Sequence, residues 1–167
     1  MRVVEGIAEI DDLDGFLGRV NDIATDHGVT VQAFDARYVV GRRHLERAVE
    51  LADRAIARGE NVARERGVEI LLYAAGRRQI DDALAMGVSE GRLPVAVVVS
   101  DAGGDETAEA TAAAAVEELL DPAETLDAVD ADRVWAFFDV TEAELDATDG
   151  DLADLVAERV ALLDVEK

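Results

Sequence analysis

Leu93-Pro94-Val95-Ala96-Val97-Val98-Val99-Ser100 (LPVAVVVS) is short, apolar and bounded by glycine and proline, the signature of a strand rather than a helix. It shows no polar–apolar alternation. A strand of that kind has both faces covered, so it belongs in the centre of its sheet. The turn Asp101–Asp105 follows it, and then AEATAAAAVEELL, whose alanines predict a helix over about 106–120.

On the N-terminal side, Val3–Ile10 (VVEGIAEI) reads as a strand. Asp11-Asp12 offers acidic caps to a helix at about 13–27, with Phe16, Val20, Ile23 and Ala24 on one face and Gly28 at its end. Val29–Phe34 reads as another strand. The loop through Gly41 leads to an amphipathic helix at about 43–58, closed by Gly59, with Leu45, Ala48, Ala52, Ala55 and Ile56 on its core face. Glu69–Ala75 fits either a buried strand or a helix, and its leucines and alanines favour helix. Helix is expected to continue over 77–86 with Ile80, Ala83 and Leu84 inward. Asp121-Pro122-Ala123-Glu124 has the cap, proline and third-position acid of a helix start. Thr141-Glu142-Ala143-Glu144 reads as a capping box, and Leu152–Asp164 as a last apolar helix. The fold expected is α+β: one domain over 1–167, a small sheet of about three to four strands covered by six to seven helices.

Half of the 167 residues are apolar, enough for a core, and there is no cysteine for disulfides or thiolate chemistry. No apolar run reaches the length of a membrane span, and Glu5 comes too early for a signal sequence, so a cytoplasmic protein with no membrane partner is expected. Enzyme signatures are missing: no phosphate-binding Gly-Lys-Ser/Thr loop, no G-x-G-x-x-G after a strand, no G-x-S-x-G. His27 and His44 form no metal-binding pair. The carboxylate pairs Asp130/Asp132 and Asp149/Asp151 arise freely in a chain of 38 acids and are not read as a metal site.

Charge is unevenly placed. The chain carries a formal −22, yet residues 36–92 hold 11 Arg against 9 acids, and residues 101–158 hold 19 acids against Arg133 alone. The acidity resembles that of proteins from a cytoplasm holding molar salt, where a Debye length of about 3 Å screens self-repulsion. The segment left free of excess acid then points to an anionic partner. Arg43, Arg47, Arg54 and Arg58 fall within about 60° on one side of the 43–58 helix, opposite its core face. They suit phosphate contacts, or equally a solvated face with i,i+4 ion pairs. His44 reads as a contact to an anionic ligand or as a partly buried structural residue. Tyr38 could stack on a base, whereas Tyr73 sits in an apolar run and reads as core.

Taken in order, Phe34-Asp35-Ala36, Gly41, His44-Leu45, Gly59–Ala63, Glu69–Gly76 (EILLYAAG), Arg77-Arg78-Gln79-Ile80 and Glu158–Val165 (ERVALLDV) resemble one family, the accessory subunit of the KEOPS (EKC) complex known in animals as the PRPK-binding protein, TPRKB. The resemblance spans nearly the whole chain. It implies a protein without catalytic residues or cofactor, which docks on the complex's kinase-like ATPase. Such a subunit supports threonylcarbamoyladenosine formation on tRNA and, in archaeal members, engages the single-stranded CCA end. The RNA contacts it implies are Arg77, Arg78 and Gln79, with Arg42, Arg43 and Asn61 nearby; no DNA partner is expected. For the kinase-like partner, Val156, Val160 and Leu163 offer an apolar face beyond what Leu152, Leu155 and Leu162 need for the core, and Phe16 and Val20 offer a second. A protein-binding adaptor that ignores RNA and a small-molecule-binding regulatory domain are the alternatives.

Overall fold

The computed structural model describes residues 1–147 and 150–166. Four strands, β1 (Arg2–Ile10), β2 (Thr30–Asp35), β3 (Gly91–Ser100) and β4 (Asp121–Pro122), form one sheet in the order β2-β3-β1-β4. Among the described residues the α-helices are α1 (Leu13–His27), α2 (Arg42–Arg58), α3 (Arg66–Ala75), α4 (Ile80–Ala83), α5 (Glu106–Glu117), α6 (Ala131–Phe137), α7 (Glu142–Ala147) and α8 (Leu152–Glu166). The fold is α+β, as its sequence predicts.

Every neighbouring strand pair is antiparallel, with Arg2 opposite Val99 and Thr30 opposite Ser100. β1 and β2 are therefore parallel with β3 between them, and β3 and β4 are parallel with β1 between them. Helices α1 and α5 make the two crossovers, giving interlocked split β-α-β units. The α2–α4 segment is inserted between β2 and β3, and α6–α8 follow the second unit.

The lack of alternation in β3 has a direct cause. Leu93, Val95, Val97 and Val99 pack with Phe16, Val20, Ala112 and Val116 beneath α1 and α5. Ala96 and Val98 face the other way, into a core shared with Leu45, Ile70, Leu72, Val156 and Val160. The sheet is thus covered on both sides, and β3 lies inside it with β1 and β2 as neighbours.

Three local expectations are corrected. Asp121-Pro122 does not start a helix but pairs with β1, Pro122 opposite Gly6. The segment beyond it is tied to the sheet, because the Glu5 carboxylate accepts from the Thr125 and Leu126 N–H groups at 2.8 Å and the Thr125 hydroxyl donates to Val95 O at 2.7 Å. A Cβ at residue 6 would lie 2.8 Å from Asp121 O, so glycine permits the close approach. Second, the helix expected over 77–86 is one α-turn (Ile80–Ala83) and one 3₁₀ turn (Leu84–Met86), with Ala83 and Met86 buried while Ile80 and Leu84 face solvent. Third, Ile56 lies within the apolar sector of α2 but on its last turn, and is exposed; Val49 and Leu51 are buried there instead. The ambiguous Glu69–Ala75 stretch is helical and entirely buried. Thr141 does cap α7, accepting from the Glu144 N–H at 3.1 Å, but the box is not reciprocal, since the Glu144 carboxylate pairs with Arg159 at 2.7 Å.

Candidate functional site

Helices α2 and α3 form a hairpin joined by residues 59–65, and α3 lies against both α2 and α8. One bond sets which ends meet. Val40 N–H donates to His44 Nδ1 at 3.2 Å, so the proton sits on Nε2, which donates to Ala74 O at 2.7 Å. His44 is buried among apolar atoms, and desolvation lowers its pKa to about 4, against the raising effect of the Ala74 bond. It is a neutral structural residue, the plainer of its two readings. It brings the first turn of α2, with Arg42 and Arg43, to the last turn of α3 and the Arg77-Arg78-Gln79 that follow.

These residues are not equivalent. Arg77 donates to Phe137 O and lies with its guanidinium 4.8 Å from the Phe137 ring centroid, so both its hydrogen bonding and its flat face serve the fold. Arg42 is exposed but engaged, with Glu46 at 3.4 Å and Met1 O at 3.3 Å. Arg43, Arg78 and Gln79 are exposed, and the two arginines make no side-chain hydrogen bond or ion pair among the described residues. Asn61 lies at the opposite, loop end of the hairpin, where its Nδ2 donates to Ala63 O at 2.8 Å. The rise from Glu69, which holds that loop, to Gly76 is alone about 10 Å. The structure therefore gathers Arg42, Arg43, Arg77, Arg78 and Gln79 at one end and leaves Asn61 at the other.

Aromatic residues lie beneath the gathered end. Tyr38 meets Phe137 edge-to-face at 5.5 Å, Phe137 meets Phe138 at 5.0 Å, and His44 meets Phe138 at 6.0 Å. Tyr38 is half-buried and spends part of its ring on Phe137, while Tyr73 is wholly buried as core. Beside Arg43 an open groove of about 870 Å³ runs between α2 and α8. Its charged lining is Arg43 and Arg47 against Glu46, Glu50 and Asp154, so the groove itself is a poor seat for an anion. Of the two free arginines at this end, Arg43 lines the groove and Arg78 does not.

The apolar docking faces expected on α8 and α1 are corrected. Val156, Val160 and Leu163 are at most 2% exposed and part of the core over α2 and α3; Phe16 and Val20 are buried against β3 and α5. The six apolar positions of α8 are shared differently, with Leu162 at 46% exposure facing solvent and Leu155 inward. Fully burying one such side chain contributes about 1.5–3 kcal/mol, and withdrawing three to meet a partner would cost more than ordinary contacts return. The large apolar side chains that do face solvent next to the arginine end are Ile80 and Leu84, at 44% and 54%. Their spacing of four is the same on a core helix and on a docking helix. Only the absence of a covering element separates the two, and a sequence does not display it.

Of the carboxylate pairs, Asp130 caps α6 and pairs with Arg133 at 3.1 Å, while Asp151 and Asp154 each accept from the other's backbone N–H; Asp149 lies outside the described residues. No helix among the described residues is long and apolar enough to cross a membrane. The model of a protein family described as kinase binding protein CGI-121 matches residues 18–164. No curated protein matches the chain.

Proposed function

The chain belongs to the kinase binding protein CGI-121 family, and from that premise we propose that it is a non-catalytic subunit of the KEOPS complex. It binds the complex's kinase-like ATPase and supports threonylcarbamoyladenosine formation on tRNA by holding the single-stranded CCA end. It works in the cytoplasm of a halophilic archaeon, where the charge of −22 is tolerated.

One observation carries the RNA part. Arg43 and Arg78 sit at the same end of the α2–α3 hairpin, exposed and without an acid partner among the described residues, in a chain where acids outnumber basic residues 38 to 16. In molar salt the release of counterions contributes little, so affinity has to come from bidentate guanidinium–phosphate bonds and from stacking on unpaired bases. Arg43, Arg78 and Gln79 supply donors for that purpose, and Arg77, locked on Phe137, shapes the surface between them. The kinase-like partner docks on Ile80 and Leu84, whose side chains are left exposed by the described residues.

The test is the pair of substitutions Arg43→Glu and Arg78→Glu, assayed for tRNA binding and for retention of the kinase-like subunit. Loss of tRNA with the protein partner kept is the expected result. Unchanged tRNA binding would leave a protein-binding adaptor that ignores RNA.

A further inference from the structure

We propose that the loop end of the α2–α3 hairpin is a second RNA-binding surface, one that grips the phosphodiester backbone at a distance from the unpaired 3′ end. This rests on the reading of the chain as a tRNA-binding subunit, and extends it to residues of the opposite end.

Three further arginines, Arg54, Arg58 and Arg64, are exposed and make no side-chain hydrogen bond or ion pair among the described residues. All three belong to the loop end: Arg54 and Arg58 lie one turn apart near the end of α2, and Arg64 stands just before α3. The other cations of the hairpin near them are neutralised, Arg47 of α2 by Glu50 at 3.0 Å and Arg66, at the start of α3, by Asp53 at 2.7 Å. The free positive charge of the hairpin is thus divided between its two ends.

The loop end is also built rather than loose. The fully buried Glu69 carboxylate accepts from Val62 N–H at 3.0 Å and from Ala63 N–H at 3.1 Å, while Asn61 closes on Ala63 O. A buried carboxylate is costly unless it is well bonded. Here it holds a loop whose outward side chains include Val62, at 48% exposure, and Arg64. Exposed Ile56 adds apolar surface beside Arg58. Preformed donors beside apolar surface suit a ribose–phosphate backbone. Glu60 and Glu65 share the loop, but at a Debye length of about 3 Å in molar salt only groups that touch phosphate directly count.

The distance sets what each end can touch. Arg43 and Arg58 are 15 residues apart on one helix, about 22 Å. A stacked strand rises about 3.4 Å per nucleotide, so the two ends lie roughly six nucleotides apart, beyond a three-nucleotide tail. An RNA that fills both ends is longer than its CCA.

The experiment compares full-length tRNA with a single-stranded trinucleotide CCA over a KCl series, using wild type, R54E/R58E/R64E, the milder R54Q/R58Q/R64Q and R78E. Both triple variants should bind tRNA at least about tenfold more weakly, with a salt slope flatter by roughly two to three, about 0.7–0.9 for each phosphate no longer neutralised. They should bind the trinucleotide as wild type does. R78E should weaken both ligands. Unchanged tRNA affinity and slope in the triple variants would overturn the second surface while leaving the first intact, as would an equal loss for the trinucleotide. If the triple variants instead lost only the kinase-like subunit, the loop end would be a protein surface and the proposal wrong. Failure of wild type to bind either RNA would remove the tRNA-binding function itself, and the second surface with it.

Discussion

His44 Nε2 lies 2.7 Å from Ala74 O, joining the first turn of α2 to the last turn of α3 across 30 residues of chain. The same ring accepts from Val40 N–H, so one neutral imidazole positions the loop before α2, the start of α2 and the end of α3, and with them Arg43 and Arg78.

Burial of that ring gives stability a defined pH dependence. The folded pKa of His44, about 4, lies below its ordinary 6.5, so between those values the unfolded chain binds a proton that the folded chain does not. The contribution is fully present above pH 6.5 and is lost as pH falls toward 4, by up to ~3 kcal/mol. Urea unfolding at steps from pH 7.5 to 4 should show wild type losing more stability than His44→Gln over that window. Parallel curves would mean that the ring is not held neutral.

Glu69→Ala should destabilise the protein by about 2–4 kcal/mol, since it leaves the Val62 and Ala63 N–H groups without their acceptor. Hydrogen exchange at those two amides reports the local effect directly. Exchange as slow as in wild type would show that the loop is held by something else.

Gly76→Ala probes the seam between α3 and α8. Gly76 has φ 61° and its added Cβ would stand 3.2 Å from Arg159 O, so both backbone strain and crowding oppose alanine. A loss of about 1–2 kcal/mol is expected from the strain alone, read as a lowered denaturant midpoint. An unchanged midpoint would place the two helices further apart.

The proposed docking face separates stability from binding. Val160→Ala should cost about 1–3 kcal/mol, because Val160 is 1% exposed. Ile80→Asp and Leu84→Asp should leave stability within roughly 0.5 kcal/mol and weaken retention of the kinase-like subunit at least tenfold. Normal retention by both aspartate variants would move the docking face elsewhere.

What could be read from the chain in advance divides along physical lines. The central position of β3 follows from its own residues, because a run buried on both faces has to be apolar at every position. The α2 arginines are equally legible, since helical spacing alone places them opposite Leu45. The fate of Asp121-Pro122 is not local, because Asp-Pro serves a helix start and an edge strand equally, and the choice rests on Gly6, Glu5 and Val95, far away in sequence. Nor does α8 reveal which of its apolar residues are spare. Val160 and Leu162 look alike until α2 and α3 cover one and not the other. Arg77 shows the same limit at the candidate site, since its tie to Phe137 spans 60 residues.

Recognition of the tRNA 3′ end is best tested by binding of intact tRNA and of tRNA trimmed of its terminal CCA, both at molar KCl. Tight binding of intact tRNA, lost on trimming and lost equally in Arg78→Glu, is the predicted result. Equal affinity for the two RNAs would contradict a 3′-end site at Arg43 and Arg78.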